Sequence, residues 1–214
     1  IKAEVGSTVI SFVDAKEAIL LDLGDYKISY PVNEQLKFFM VADRFMFNNG
    51  ELEDYEDMYA EFDKYLAEAL VEVEKKAEPF AVEFAKKHWN DEMHYFVGAG
   101  NQWGATYSYA MCYWEEQLWL KTKSITSNEF FHGMFEIVTK ETPVTIYIGE
   151  DAQRPLSERV ANFIPRICEN YTIIDSKDYE LKGISEKYRK HLSHHVMHAV
   201  NNRIDVHMEI ETRH

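Results

Sequence analysis

Short β-branched runs alternating with longer helical stretches constrain the fold of this 214-residue chain more than any other feature. Thr8-Val9-Ile10-Ser11-Phe12-Val13 reads as a buried strand of a parallel sheet, since a strand covered on both faces needs no polar alternation. A short helix is expected over 16–21, from Lys16. Gly24-Asp25 then turns into a second strand over 26–30, ending at Tyr30 and stopped by Pro31. Strand, helix, strand at this spacing is one βαβ unit. The theme returns with strands over 95–97, 144–148 and 171–174, and helices over 105–120 and 156–168. The expected class is α/β, a doubly wound parallel sheet flanked by helices, in two related lobes of which the first is partial.

Between the lobes the pattern turns helical. Asn33 begins a helix whose apolar residues Leu36, Phe39, Met40 and Phe47 run out at Asn48-Asn49-Gly50. Over 51–78, Tyr55, Met58, Tyr59, Phe62, Leu66, Leu70 and Val73 keep a three-to-four spacing beneath an acidic, solvated face. Pro79 is expected to end that helix, with a new one over 80–87. Residues 1–90 are thus read as the partial first lobe with its connecting helices. Residues 91–214 are read as a complete second lobe, closing with a helical tail from Ser185.

The formal charge is −14, which argues against a nucleic-acid partner, because such binding relies on many Lys and Arg contacts. No apolar run reaches the roughly 20 residues needed to span a bilayer, and no secretory signal is legible. Cys112 and Cys168 sit in apolar surroundings 56 residues apart and read as buried thiols of a cytoplasmic protein. The first residue is Ile1, so a preceding segment is expected.

The residues that invite chemistry lie between 115 and 133. Glu115 and Glu116 close the helix over 105–120, at the negative end of its dipole, where partial burial would suit a base. A loop later, Ser127 or Asn128 can cap a short helix carrying Glu129, His132 and Glu136. A carboxylate and an imidazole together suit proton transfer next to a carbonyl. Spacing alone favours the plainer reading, a solvated Glu and a capped structural His.

Two other patterns carry less. Gly98-Ala99-Gly100-Asn101-Gln102-Trp103-Gly104 follows a strand and precedes a helix, but its glycine spacing is one residue too long for a dinucleotide fingerprint. His191, His194, His195 and His198 share a helix face and could chelate a metal, yet the sequence offers no third-element ligand, so helix packing is the reading. No metal and no cofactor is expected.

Glu116 followed sixteen residues later by His132-Gly133, after a strand ending in Gly98-Ala99-Gly100, resembles the sugar isomerase (SIS) domains. In the isomerase domain of glucosamine-6-phosphate synthase a Glu is followed at this spacing by Glu-Leu-Lys-His-Gly. Here the stretch is Glu129-Phe130-Phe131-His132-Gly133. That form, with the ending Asp205-Val206-His207-Met208-Glu209 to Arg213-His214, is more similar to the fructosamine-6-phosphate deglycases. The synthase lysine three residues before the Glu is Tyr113 here, which argues against glucosamine-6-phosphate synthesis.

The resemblance implies a substrate that is a fructosamine 6-phosphate, an adduct of a sugar phosphate and an amino acid. His132 would open the ring and Glu116 would move a proton from C1, while Gly100, Asn101, Gln102 and His214 would contact substrate. It also implies a homodimer or larger homo-oligomer whose active site is shared between subunits. The phosphate cradle would precede Ile1, and a basic tail would follow His214, so the chain reads as truncated at both ends. An aldose–ketose phosphate isomerase, or a non-catalytic sugar-phosphate sensor, would share many of these features.

Overall fold

The structure is a computed structural model that describes residues 2–15, 17–29 and 34–214. The expectations at Lys16, Tyr30, Pro31 and Asn33 lie outside the described residues. By contact the chain divides into two compact units, Ile1–Glu56 and Asp57–His214. Of the connecting helices read from sequence with the first lobe, the one over 34–48 stays in the first unit, whereas those beyond Glu56 group with the second.

The first unit contains α1 (Lys2–Val5), β1 (Ile10–Phe12), α2 (Ile19–Leu23), β2 (Tyr26–Ile28) and α3 (Glu34–Asn48). β1 and β2 pair in parallel, Ile10 opposite Tyr26, as the βαβ spacing required. α3 stops where Gly50 takes φ +78°, which lets the Glu51 N–H reach the carbonyl of Met46 at 2.9 Å.

α4 (Tyr55–Glu61) straddles the division and runs through a π-helical turn, Phe62–Leu66, into α5 (Ala67–His88). Pro79 sits inside α5 and does not end it. The physical reason is packing. Ala69, Val73, Ala77, Ala81 and Ala85 form one buried row four residues apart, against which the last helix, α10 (Ser193–Thr212), packs closely. Arg203 and His207 of α10 also hold Glu78, at 2.7 and 2.9 Å, one residue before the proline. Together these offset the roughly 3 kcal/mol that an interior proline costs a helix.

The second unit is built on a four-stranded, all-parallel sheet in the order β4-β3-β5-β6. Its strands are β3 (His94–Gly98), β4 (Thr122–Thr126), β5 (Val144–Ile148) and β6 (Tyr171–Asp175). β3, β5 and β6 are where their apolar runs placed them. β4 falls where the sequence suggests a loop, because of its composition: Thr-Lys-Ser-Ile-Thr is an edge strand with no fully buried residue. Between β3 and β4 run α6 (Asn101–Ser108) and a π-helical continuation, Tyr109–Gln117. α7 (Met134–Ile137) precedes β5, α8 (Arg154–Phe163) precedes β6, and α9 (Glu186–Arg189) precedes α10.

Alternation along the strands sorts the core into two faces. Phe96 and Tyr147 point to one side, where Trp114 and Tyr109 of the π-helical stretch meet the Phe96 ring at 5.1 and 5.9 Å. Val97, Ile146 and Ile148 point to the other, into a cluster with Phe130, Met134, Val160 and Ile164. Among the described residues no helix is long and apolar enough to cross a membrane.

Candidate active site

In an open parallel sheet, ligands bind where neighbouring strands send their connections to opposite sides. Here that point lies between β3 and β5, and Gly100, Asn101 and Gln102 stand at it. Gly100 adopts φ +58°, and a Cβ there would lie 2.3 Å from Asp151 Oδ1. The Asp151 carboxylate accepts from the Asn101 N–H at 2.9 Å and from the Gln153 N–H at 2.7 Å. Asn101 Nδ2 donates to the carbonyl of Lys190 at 3.0 Å, and the buried Gln102 amide donates to that of Ser193 at 2.8 Å. Three expected substrate contacts are thus engaged with the chain's own loops. Gly100 and Asn101 remain exposed to solvent, whereas Gln102 is buried.

Behind this point a buried network braces the sheet. Arg189 donates to both carboxylate oxygens of Glu150 at 2.8 Å and also to the carbonyls of Ser176 and Tyr179. Arg154 holds Asp175 and Glu158 and reaches the Gly149 carbonyl. Sequence reading missed these residues, because their partners lie on strands and loops far apart in the chain.

Glu116 ends the helical segment begun by α6, as expected, but its side chain is exposed and not partly buried. The reason is the turn that follows: Leu118 is buried and anchors the chain, while Trp119, at φ +58°, is turned out 72% exposed. The neighbouring Gln117 amide bridges Asp205 Oδ2 at 3.1 Å and Glu209 Oε1 at 2.5 Å on α10. Burial pushes the Asp205 carboxyl up to about 6, with Glu209 adding to the effect. The His214 ring lies tilted against Trp119, with ring centroids 4.2 Å apart. Glu116 and His214, far apart in sequence, therefore share one corner of the unit. Tyr113, half-buried, lies near Asp205, and burial, with that carboxylate adding, raises its phenol.

His132 lies at the end of a 3-10 turn, Glu129–His132, and is exposed. The expected side-chain cap is not made. Ser127 instead pairs with Ser157 at 2.9 Å, and Asn128 leans on Glu129. The turn is fixed by its aromatics. Phe130 is fully buried in the Val97 face, and Phe131 packs on Phe163 at 5.3 Å beneath the Arg159 guanidinium at 4.2 Å. A hollow of about 610 Å³ opens beside it, lined by Phe131, Arg159, Asn162, Phe163 and Arg166 among others.

Glu116 and His132 accordingly stand on opposite faces of the sheet. The Glu116 segment covers Phe96, whereas the residues flanking His132 cover Val97. They are also separated lengthwise. Glu115 hydrogen-bonds Thr122 at the start of β4, while the His132 turn follows its end, about 13 Å along the strand. No hydrogen bond or ion pair joins the two within the chain, among the described residues.

Of the remaining histidines, His194, His195 and His198 lie on α10. Burial pushes His194 and His195 of α10 down to about 4 and about 3. His198 is lowered too, Glu74 partly opposing. Unforeseen from the sequence, His88, Asp91 and His94 cluster where α5 passes into β3. Burial drives His94 down to about 4 against the pull of Asp91. Asp91 is raised by burial, but hydrogen bonds from the two imidazoles outweigh that and leave it below the usual carboxylate value.

No family model matches the chain. It is 32% identical over 120 residues to the fructosamine deglycase FrlB of Bacillus subtilis, covering 56% of this chain and 37% of that protein. It is 34% identical over 83 residues to the fructoselysine 6-phosphate deglycase of Escherichia coli, covering 39% and 24%. The chain thus spans well under half the length of these relatives. Among solved structures, a candidate phosphosugar isomerase of Salmonella typhimurium superposes with TM-score 0.90 at 21% identity, over 99% of this chain and 68% of that one. One from Bacillus subtilis gives 0.78 at 25% identity, over 98% and 66%. The C-terminal domain of glucosamine-fructose-6-phosphate aminotransferase from Francisella tularensis gives 0.64 at 12%, over 95% and 63%. The fold is that of the phosphosugar isomerases, and in sequence the chain is similar to fructosamine deglycases.

Proposed function

We propose that the protein carrying this chain cleaves a fructosamine 6-phosphate to glucose 6-phosphate and a free amine. The observation that carries this reading is the exposed Glu116 followed by the aromatic-anchored His132-Gly133 turn, in a chain similar to fructosamine deglycases. Ring opening comes first, with His132 moving the hydroxyl proton. Glu116 then takes a C1 proton to give an enaminol, and a proton returned to C2 leaves a Schiff base that water hydrolyses. The corner where His214 leans over Trp119 lies beside Glu116 and suits a substrate contact from the chain's end.

Because Glu116 and His132 occupy opposite sheet faces, the reading requires a second copy to bring its His132 to this Glu116. A homodimer or larger assembly with shared sites follows. The test is a coupled assay for glucose 6-phosphate released from fructoselysine 6-phosphate. Release that Glu116→Gln abolishes, in a folded protein, supports the reading. Interconversion of aldose and ketose phosphates without amine release would replace it with an isomerase.

A further inference from the structure

His88, Asp91 and His94 form a compact donor set that the proposed reaction does not use. One ligand atom from each lies within 4.8 Å of the other two. The Nδ1 atoms of both imidazoles converge on a single carboxylate oxygen, Asp91 Oδ2, at 2.7 and 2.8 Å. Both histidines are at most 1% exposed, whereas the Asp91 side chain is 15% exposed and opens the set to solvent on one side. We propose that these three residues bind a divalent transition-metal cation of the zinc class, clamping the end of α5 to the start of β3.

Ligands about 2.0–2.2 Å from a tetrahedral cation stand about 3.3 Å from one another. The separations present, from 2.7 Å to no more than 4.8 Å, bracket that value. Asp91, on a turn at the open side, is the residue that must shift, and the open side leaves room for a water as fourth ligand. Two imidazoles and one carboxylate favour Zn²⁺, Co²⁺ or Ni²⁺ over Mg²⁺ or Ca²⁺, which want oxygen donors.

The surroundings are those of a supported ligand set. Nε2 of His94 lies 2.8 Å from the buried Thr145 hydroxyl, the partner that fixes a metal-bound imidazole's orientation and tautomer. Rings of Phe96 and Trp114 lie 4.6 Å from that imidazole, and Phe84 packs on His88 at 4.5 Å. This aromatic packing around the imidazoles points to a structural role for the cation.

The experiment is a titration of the chelator-treated protein with Co²⁺ and Zn²⁺, following the visible absorption of four-coordinate Co²⁺ and the heat of Zn²⁺ binding. Asp91→Asn serves as the deciding variant, because it keeps an acceptor for both imidazoles and its fold is checked by circular dichroism. One equivalent per chain is expected, with affinity reduced at least about a hundredfold in Asp91→Asn. Absence of binding overturns the proposal and leaves a hydrogen-bonded knot. Equal binding by Asp91→Asn also overturns it and moves the metal to the α10 histidines.

Discussion

The carboxylate of Asp151 accepts a 2.9 Å hydrogen bond from the backbone N–H of Asn101, at the first turn of α6. A loop from β5 thereby occupies the helix end that follows β3, and the positive φ of Gly100 lets the two segments approach. Asp151→Ala is expected to lower stability by about 1 kcal/mol, as loss of a helix cap does. Gly100→Ala adds a Cβ against that carboxylate and strains the backbone, so a loss of about 1–3 kcal/mol is expected. Urea unfolding of both variants checks this, and an unchanged midpoint for Gly100→Ala would show that the loop yields freely.

Glu150 is 4% exposed at its side chain and depends on Arg189 for compensation. Arg189→Met leaves a buried carboxylate without its cation and is expected to destabilise by roughly 3–5 kcal/mol. Arg189→Met combined with Glu150→Leu should recover much of that loss. Chemical denaturation of the single and double variants measures the coupling.

Pro79 lies on the exposed side of α5 with no N–H to give the helix. Since the helix already continues through it, Pro79→Ala should stabilise the protein by about 1–3 kcal/mol. A lower melting temperature for Pro79→Ala would mean that the proline shapes a bend on which α10 packing depends.

Acid should destabilise the second unit before it touches surface ion pairs. His94, His194 and His195 fall from an ordinary 6.5 to about 4, about 4 and about 3, chiefly through burial. Below 6.5 the unfolded chain binds these protons and the native one does not. Stability is therefore full above about 6.5 and falls as pH drops toward 4, by about 1.4 kcal/mol per pH unit for each site. The lowered Asp91 acts in the same direction at more acid pH, and Asp205, raised to about 6, opposes it between about 4 and 6. Three imidazoles outweigh one carboxyl, so the urea midpoint at pH 5 should lie well below that at pH 7.5. Equal midpoints would contradict the burial of these histidines.

Much of the fold was legible because periodicity survives burial. Val144-Thr145-Ile146-Tyr147-Ile148 can only be a covered strand, and all five residues are buried. β4 was not legible, because an edge strand of Thr, Lys and Ser looks like the loop beside it. Pro79 misled for a tertiary reason, since the mostly alanine row that packs α5 against α10 is not a local signal. The spacing of Glu116 and His132 was plain in the sequence, but which sheet face each occupies depends on β4 lying between them. The His88-Asp91-His94 cluster spans a helix end and a strand start, so no single periodicity exposes it.

The proposed reaction depends on Glu116 of one copy meeting His132 of another. The most direct measurement is glucose 6-phosphate release from fructoselysine 6-phosphate by Glu116→Gln, by His132→Ala, and by the two variants unfolded and reassembled together in equal amounts. Each variant alone should be nearly inactive, and the mixture should recover roughly a quarter of wild-type turnover, because one site in four then combines two intact residues. A mixture as inactive as its parts, with mixed assemblies verified, would contradict the shared site.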